Sequence, residues 1–251
     1  MNDSELLHKR FVELGRRSYN SGIFTFTDFL GLAERAIFEE AKRELHGISY
    51  TEFGGAFGTE RVMIRFGDEE ELGYAEPYPI VCIKAEPHSQ KFADKLTHRD
   101  FLGALMNLGI ERSMLGDIAI IDNIAYIFAH ENLAEFIKDS LTRVKHTDVN
   151  LEIVSSLPEG ELFKTESRRI QAHGERLDAV VAKLFSLSRE NAQLLFKRGL
   201  VFANGKAILS TSYIPKTGET ISVRGYGRFI YRSYETTTKR GNLNIEVDLY
   251  V

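Results

Sequence analysis

The chain has 251 residues, room for two or three compact domains, and its 43% hydrophobic and 27% charged content is that of a folded globular protein, which excludes a disordered chain. Its one cysteine, Cys82, sits in the apolar run from Tyr78 to Ile83, which excludes a disulfide framework or a thiolate metal site and fits a reducing cytoplasm. The net charge of −4 is unevenly spread: residues 1–160 carry 17 Lys and Arg against 27 Asp and Glu, whereas residues 161–240 carry 15 against 7, so a polyanionic partner is expected for the basic part alone.

The N-terminus is studded with charge from Met1 to Arg17, and no later stretch approaches the roughly 18 uninterrupted apolar residues of a membrane span. Neither a secretion signal, a helical anchor nor a membrane partner is expected. Glu5 to Tyr19 and Asp28 to Leu45 read as helices, the second with Leu30, Ala33, Ile37, Ala41 and Leu45 near helical spacing. Two strands, Ile48 to Phe53 and Arg61 to Phe66, flank the glycine loop Gly54-Gly55-Ala56-Phe57-Gly58. That loop lacks the Lys-Ser/Thr ending of a phosphate cradle and reads as a plain connection.

From Pro79 the expected order is a strand (80–84), a helix (97–108), two strands (117–122 and 125–129), a helix (131–142) and a strand (149–154). This strand-helix-strand-strand-helix-strand order is that of a ferredoxin-like domain, the fold also used by RNA-recognition motifs. Thr97 and Asp100 have the spacing of a helix cap, whereas His98 and Arg99 stay open as RNA contacts. Tyr126 and Phe128 alternate on one strand without the basic and glycine positions of a base-stacking motif, which favours core or interface packing. The expected division is 1–78 (helical and β), 79–160 (ferredoxin-like) and 168–251, with a linker over Ser155 to Gly160.

In the last third, Leu177, Val180, Val181, Leu184 and Phe185 recur at i, i+3, i+4, i+7 and i+8, the pattern of an amphipathic helix flanked by Arg176 and Lys183. Ser188 can cap a second helix that buries Ala192, Leu195 and Phe196 and carries Arg189, Gln193 and Lys197 as a polar stripe. Asn204-Gly205 between apolar residues signals a tight hairpin with Lys206 beside its turn. A strand from Glu219 to Arg224 follows, then Arg228 and Arg232, and a terminal hairpin turned at Lys239-Arg240-Gly241-Asn242.

The runs Arg176-Leu177-Asp178, Ser188 to Ala192, Lys197 to Lys206 and Gly218 to Ile221 resemble, in order and spacing, the S4-type (αL-like) RNA-binding domain. Ala203 departs from it, where a β-branched residue is commoner. By that resemblance Arg176, Ser188, Arg189, Lys197, Arg198 and Lys206 present polar groups to the phosphates of structured RNA, with Arg224 and Arg228 as weaker candidates. Thr97 to Leu105, Gly109 to Arg112 and Gly116 to Ile118 are similar to the YlmH-type bacterial proteins. The resemblance implies a cytoplasmic, ribosome-associated binder of ribosomal RNA of the large subunit, with a role in translation quality control or rescue and tRNA contact left open.

No catalytic residue, metal cluster or cofactor fingerprint is evident: the seven histidines are scattered and no activated Ser or Cys appears. Two rivals stand beside RNA binding. An RNA-modifying enzyme is one, because S4-type modules are often attached to such enzymes, although Asp178 lies inside a helix of the module. A protein-interaction adaptor with acidic front domains is the other.

Overall fold

Hydrophobic faces of different period gather into two units, Met1–Phe163 and Lys164–Val251, in a computed structural model that describes residues 2–158, 162–237 and 241–250. The protein is mixed α+β, and each unit packs helices on antiparallel sheet.

The first unit begins with α1 (Asp3–Ser21), where Asn2 and Glu5 bond each other's backbone N–H in a capping box and Gly22 ends the helix at φ 62°. Its buried stripe, Phe11, Val12 and Leu14, packs with Phe38 of α2 (Leu32–Ala41) against a three-stranded sheet. That sheet has the order β1 (Thr25–Phe26), β3 (Met63–Phe66), β2 (Tyr50–Phe53). The helix expected from Asp28 starts four residues later. Phe29 N–H donates to Ser113 O at 2.8 Å and Leu30 bridges to Val62, so backbone pairing claims these residues before the helix begins. A short helix α3 (Glu69–Leu72), capped by Asp68, leads onward.

The middle of the unit runs β4 (Ile80–Pro87), α4 (His98–Asn107), β5 (Leu115–Ile121), β6 (Ile124–His130), α5 (Ala134–Ser140), β7 (Arg143–Val144) and β8 (Thr147–Val154). The sheet order is β5-β6-β4-β8-β7, antiparallel throughout. Helix α5 is shorter than its apolar pattern suggests, because 131–133 form a 3-10 turn and the chain re-enters the sheet at Arg143. The β5–β6 turn, Asp122-Asn123, holds φ values of 49° and 64°, which Asp and Asn tolerate best among residues with a side chain. The Asn123 side chain also accepts from Leu96 N–H at 2.9 Å and donates to Asp94 O at 3.0 Å.

One sheet face buries Ile83, Ala85, Ala125, Ile127 and Ala129 with Phe101 and Leu105 of α4 and Ile137 of α5. The opposite face is closed as well. Tyr126 and Phe128, only 9% and 1% exposed, pack with Phe29, Met63, Ala56 and Phe163. The glycine loop lies on this face: at Gly55 (φ 100°) a Cβ would overlap the Phe128 ring. Two half-buried arginines fasten the seam. Arg61 donates to the carbonyls of Phe29, Arg112 and Leu115, Arg112 to those of Leu115 and Gly116, and Asp117 accepts from the Glu60 and Arg61 N–H groups. Burial, then the neighbouring Arg61 charge, pulls Arg112 down to about 10. Burial likewise pushes the Cys82 thiol up to about 12, which leaves it inert at neutral pH.

The second unit is a six-stranded antiparallel sheet under a helical hairpin. Its elements are β9 (Thr165–Ala172), α6 (Leu177–Leu184), α7 (Arg189–Lys197), β10 (Val201–Ala203), β11 (Lys206–Ala207), β12 (Thr220–Val223), β13 (Gly227–Thr237) and β14 (Leu243–Tyr250), in the sheet order β11-β10-β12-β13-β14-β9. Leu177, Val180 and Val181 of α6 and Ala192, Leu195 and Phe196 of α7 are buried, as their spacing anticipates, on Val201, Ile221, Phe229, Ile245 and Val247. Strand β9, unforeseen in the sequence, closes the sheet along the full length of β14. The hairpin turn expected at Lys239 to Asn242 and the linker end at Glu159 and Gly160 fall partly outside the described residues.

Because both backbone sign and ring overlap forbid a side chain at Gly55, Gly55→Ala is expected to cost about 3 kcal/mol in urea unfolding. Gly47→Ala, at φ 75° with open space around it, should lose only about 1 kcal/mol. Equal losses at the two sites would show that the loop does not press on Phe128.

Candidate nucleic-acid interface

The helical hairpin of the second unit is held by one buried carboxylate. Asp178, in the first turn of α6 and 2% exposed, accepts from Arg176 Nε at 3.1 Å and Nη2 at 2.8 Å, and from Gln193 Nε2 of α7 at 3.3 Å. The preceding backbone is fixed by Leu177 N–H, which donates to Tyr213 O at 2.8 Å. Tyr213 in turn donates its hydroxyl to the Glu219 carboxylate, and burial followed by this bond raises the phenol to about 12.

The residues singled out in the sequence fall into three groups. Lys183, Arg189, Lys197, Arg198 and Lys206 are exposed, and none forms an ion pair among the described residues. Arg189 and Lys197 lie eight residues apart on α7, about 12 Å along its axis. Lys206 follows the Asn204-Gly205 turn, whose φ values of 46° and 80° mark a primed hairpin turn, and Asn204 Oδ1 accepts from Thr220 N–H.

A second group does structural work. Ser188 Oγ accepts from Asn191 N–H at 3.1 Å and caps α7, and Gln193 and Arg176 are tied to Asp178. The expected stripe is therefore interrupted at Gln193, although the Arg176 side chain remains 42% exposed. The third group lies on the sheet: Arg224 stacks over Phe202 at 4.8 Å and Arg228 over Tyr250 at 3.6 Å. Arg168 and Arg232, by contrast, pair with Glu166 and Asp248.

Arg176, Lys183 and Arg189 converge on a cleft of about 420 Å³ whose walls include Ala179, Ala182 and Leu187. Periodicity did not single out His173, at its rim, or Tyr226, an exposed aromatic beside Phe185. The signal for Tyr226 is an aromatic held between glycines and arginines in the run Arg224-Gly225-Tyr226-Gly227-Arg228.

The middle domain has its own open cleft, about 500 Å³, lined by Arg99, Gly103, Asn107, Arg143 and Lys145. Asp100 accepts there from Thr97 N–H and Oγ1 and pairs with Lys145 at 2.8 Å, so Lys145 and the Thr97 cap hold its carboxyl down at about 2. Arg143 pairs with Asp148 at 3.6 Å, which leaves Arg99 as the one lining cation with no ion pair among the described residues. Among the described residues no His, Cys, Asp and Glu cluster fit for a metal ion occurs, and no helix is long and apolar enough to cross a membrane.

Residues 77–157 match the family model described as "Putative RNA-binding domain in YlmH". The middle domain is thus similar to the RNA-binding domain of YlmH proteins. Across a longer stretch the chain is 34% identical over 157 residues to the Ribosome-associated protein quality control protein P2 of Bacillus subtilis (strain 168), an alignment that spans 60% of this chain and 60% of that protein's own length. Among solved structures it is similar to the cell division protein ylmH from Streptococcus pneumoniae, with a TM-score of 0.47 and 22% identity over 61% of this chain and 92% of that one. The YlmH match thus covers the domain whose sheet face is packed, and the unpaired cations of α6 and α7 lie outside it.

Two substitutions test these electrostatic anchors. Asp178→Ala leaves Gln193 and part of Arg176 without an acceptor and should destabilise the hairpin by about 2 kcal/mol, read as faster hydrogen exchange in α6 and α7. Unchanged exchange would mean the carboxylate is not the clamp. For Asp100, whose folded value lies below the ordinary 3.8, the contribution to stability is present above that value and is lost as pH falls toward 2. Asp100→Asn should therefore lower stability at pH 7 and flatten the acid limb between about pH 4 and 2, as followed by circular dichroism.

Proposed function

We propose that this protein binds structured RNA through its C-terminal unit, as an S4-type module, and catalyses no reaction. The observation that carries the reading is the α6–α7 hairpin with Lys183, Arg189, Lys197, Arg198 and Lys206 exposed and without carboxylate partners among the described residues. A cation already paired gains little from a phosphate, whereas an unpaired one releases a counterion from the RNA on binding. Exposed cations on a helical hairpin suit the backbone and 2′-hydroxyl surface of A-form RNA better than base edges in its deep groove. Ser188, Arg176 and Gln193 serve this face chiefly by fixing the helices, and Arg224 and Arg228, on the sheet's other face, are the weaker candidates.

The middle domain, with its β8-β4-β6-β5 order and two helices on one face, is read as ferredoxin-like. Since Tyr126 and Phe128 are packed away, any RNA contact by this domain would run through its helix side, around Arg99. The name of the Bacillus subtilis relative supports a ribosomal setting and a role in protein quality control, and the proposal extends to ribosomal RNA of the large subunit as target, tRNA as a further contact, and a cytoplasmic location.

The test is binding of purified ribosomal particles and of structured RNA across a salt series. Arg189→Glu with Lys197→Glu should weaken binding about tenfold or more near 0.1 M salt and reduce the salt slope by about 2, with the melting temperature unchanged. An unaltered affinity and slope would overturn the assignment of this face.

A further inference from the structure

The β12–β13 turn presents an aromatic ring where a surface turn ordinarily carries small polar residues. Tyr226 stands 46% exposed between Gly225 at φ 88° and Gly227 at φ 154°. A Cβ at Gly227 would lie 3.3 Å from the Phe185 ring, whereas one at Gly225 meets nothing. Conformation alone therefore calls for glycine at the first site, and close approach adds to it at the second. The Tyr226 ring rests on Phe185, centroids 5.8 Å apart and planes tilted by 48°. Among the described residues it touches no other ring, and its hydroxyl makes no hydrogen bond. Phe185 is the C-cap of α6, two residues after Lys183 and three before Ser188, the N-cap of α7.

The neighbouring cations turn to the sheet face away from the helices: Arg224 lies over Phe202 and Arg228 over Tyr250, with Phe202, Ser222 and Arg228 in one row, whereas Ile221 and Phe229 face α6 and α7. We infer that Tyr226 is a stacking platform for an unpaired base of the bound RNA, on the face of the sheet that carries α6 and α7. The inference rests on the RNA-binding reading above and narrows the ligand to RNA that offers an unstacked nucleotide near a helix. A ring braced by Phe185 and nearly half exposed suits base stacking, and the unpaired cations of α6 and α7 on the same face of the sheet distinguish it from an apolar protein contact. Every base has a π face, so the platform selects unpaired over paired nucleotides and does not read sequence.

The chain contains no tryptophan, so Tyr226→Trp in the full-length protein introduces a single reporter at the site. The probes are an RNA hairpin with an unpaired adenosine loop and a blunt duplex of the same stem. Binding of the hairpin should quench the emission of the introduced indole, and the duplex should leave it unchanged. Tyr226→Ala should lose about tenfold in affinity for the hairpin and little for the duplex, and Tyr226→Phe should keep the preference, since the ring and not the hydroxyl stacks. Bound hairpin without quenching, or a Tyr226→Ala protein that retains the full preference, overturns the stacking role with RNA binding intact. If neither RNA binds the wild-type protein in low salt, the RNA-binding reading itself falls, and this inference with it.

Discussion

A carboxylate that gives up water must be repaid in hydrogen bonds, and Asp178 sets the geometry of the second unit for that reason. Burial of a lone charge costs several kcal/mol, so the site exists only while Arg176 and Gln193 reach it. Arg176 precedes α6 and Gln193 lies on α7, so satisfying one anion fixes the entry to the first helix and its rotation against the second. Hydrophobic packing alone tolerates sliding along the apolar stripe, whereas a fork of donors on two oxygens does not. The cations at Lys183, Arg189 and Lys197 inherit their mutual placement from that lock. Preorganised charges lose less conformational freedom when a polyanion arrives.

The first unit follows a different constraint, a sheet with no open face. Helices α4 and α5 cover one side, and the other takes Phe29, Met63 and the glycine loop. Such a loop can lie on an aromatic ring only by dispensing with side chains, which is why Gly55 sits where a Cβ would overlap Phe128. Arg61 and Arg112 supply donors to carbonyls that the junction would otherwise leave without partners. The aromatic pair Tyr126 and Phe128 thereby serves cohesion.

What the sequence made legible was local. Helical spacing disclosed α6 and α7, Ser188 announced a cap, and Asn204-Gly205 announced a turn, because each depends on residues within about one turn of the chain. Strand β9 escaped because Glu166, Ser167, Arg168 and Arg169 show no apolar alternation, and the strand is defined by pairing with β14 more than 70 residues away. The N-terminal helix α2 was drawn too long because Leu30 fits the helical period while its backbone belongs to a bridge with Val62. At the candidate interface, periodicity placed Gln193 on a polar stripe without revealing that its amide bonds Asp178. A period assigns a face, and only tertiary structure assigns a partner.

The charge partition gains a sharper meaning from the pairing pattern. Arg168 and Arg232 on the sheet are matched by Glu166 and Asp248, and in the acidic first unit Arg35, Lys42, Lys138 and Lys145 meet Glu52, Glu39, Glu135 and Asp100. Exposed pairs of this kind contribute about 0–1 kcal/mol each, too little to explain their number through stability. Their larger effect is on where positive potential remains, since a matched cation adds almost nothing beyond a Debye length of about 8 Å at physiological salt. The cations left unmatched on α6, α7 and the Asn204-Gly205 hairpin keep their positive potential, whereas the paired arginines of the same unit's sheet do not. Pairing thus shapes the surface charge as much as composition does, since a neutralised cation and an unmatched one count alike in the sequence and differ in the field they leave.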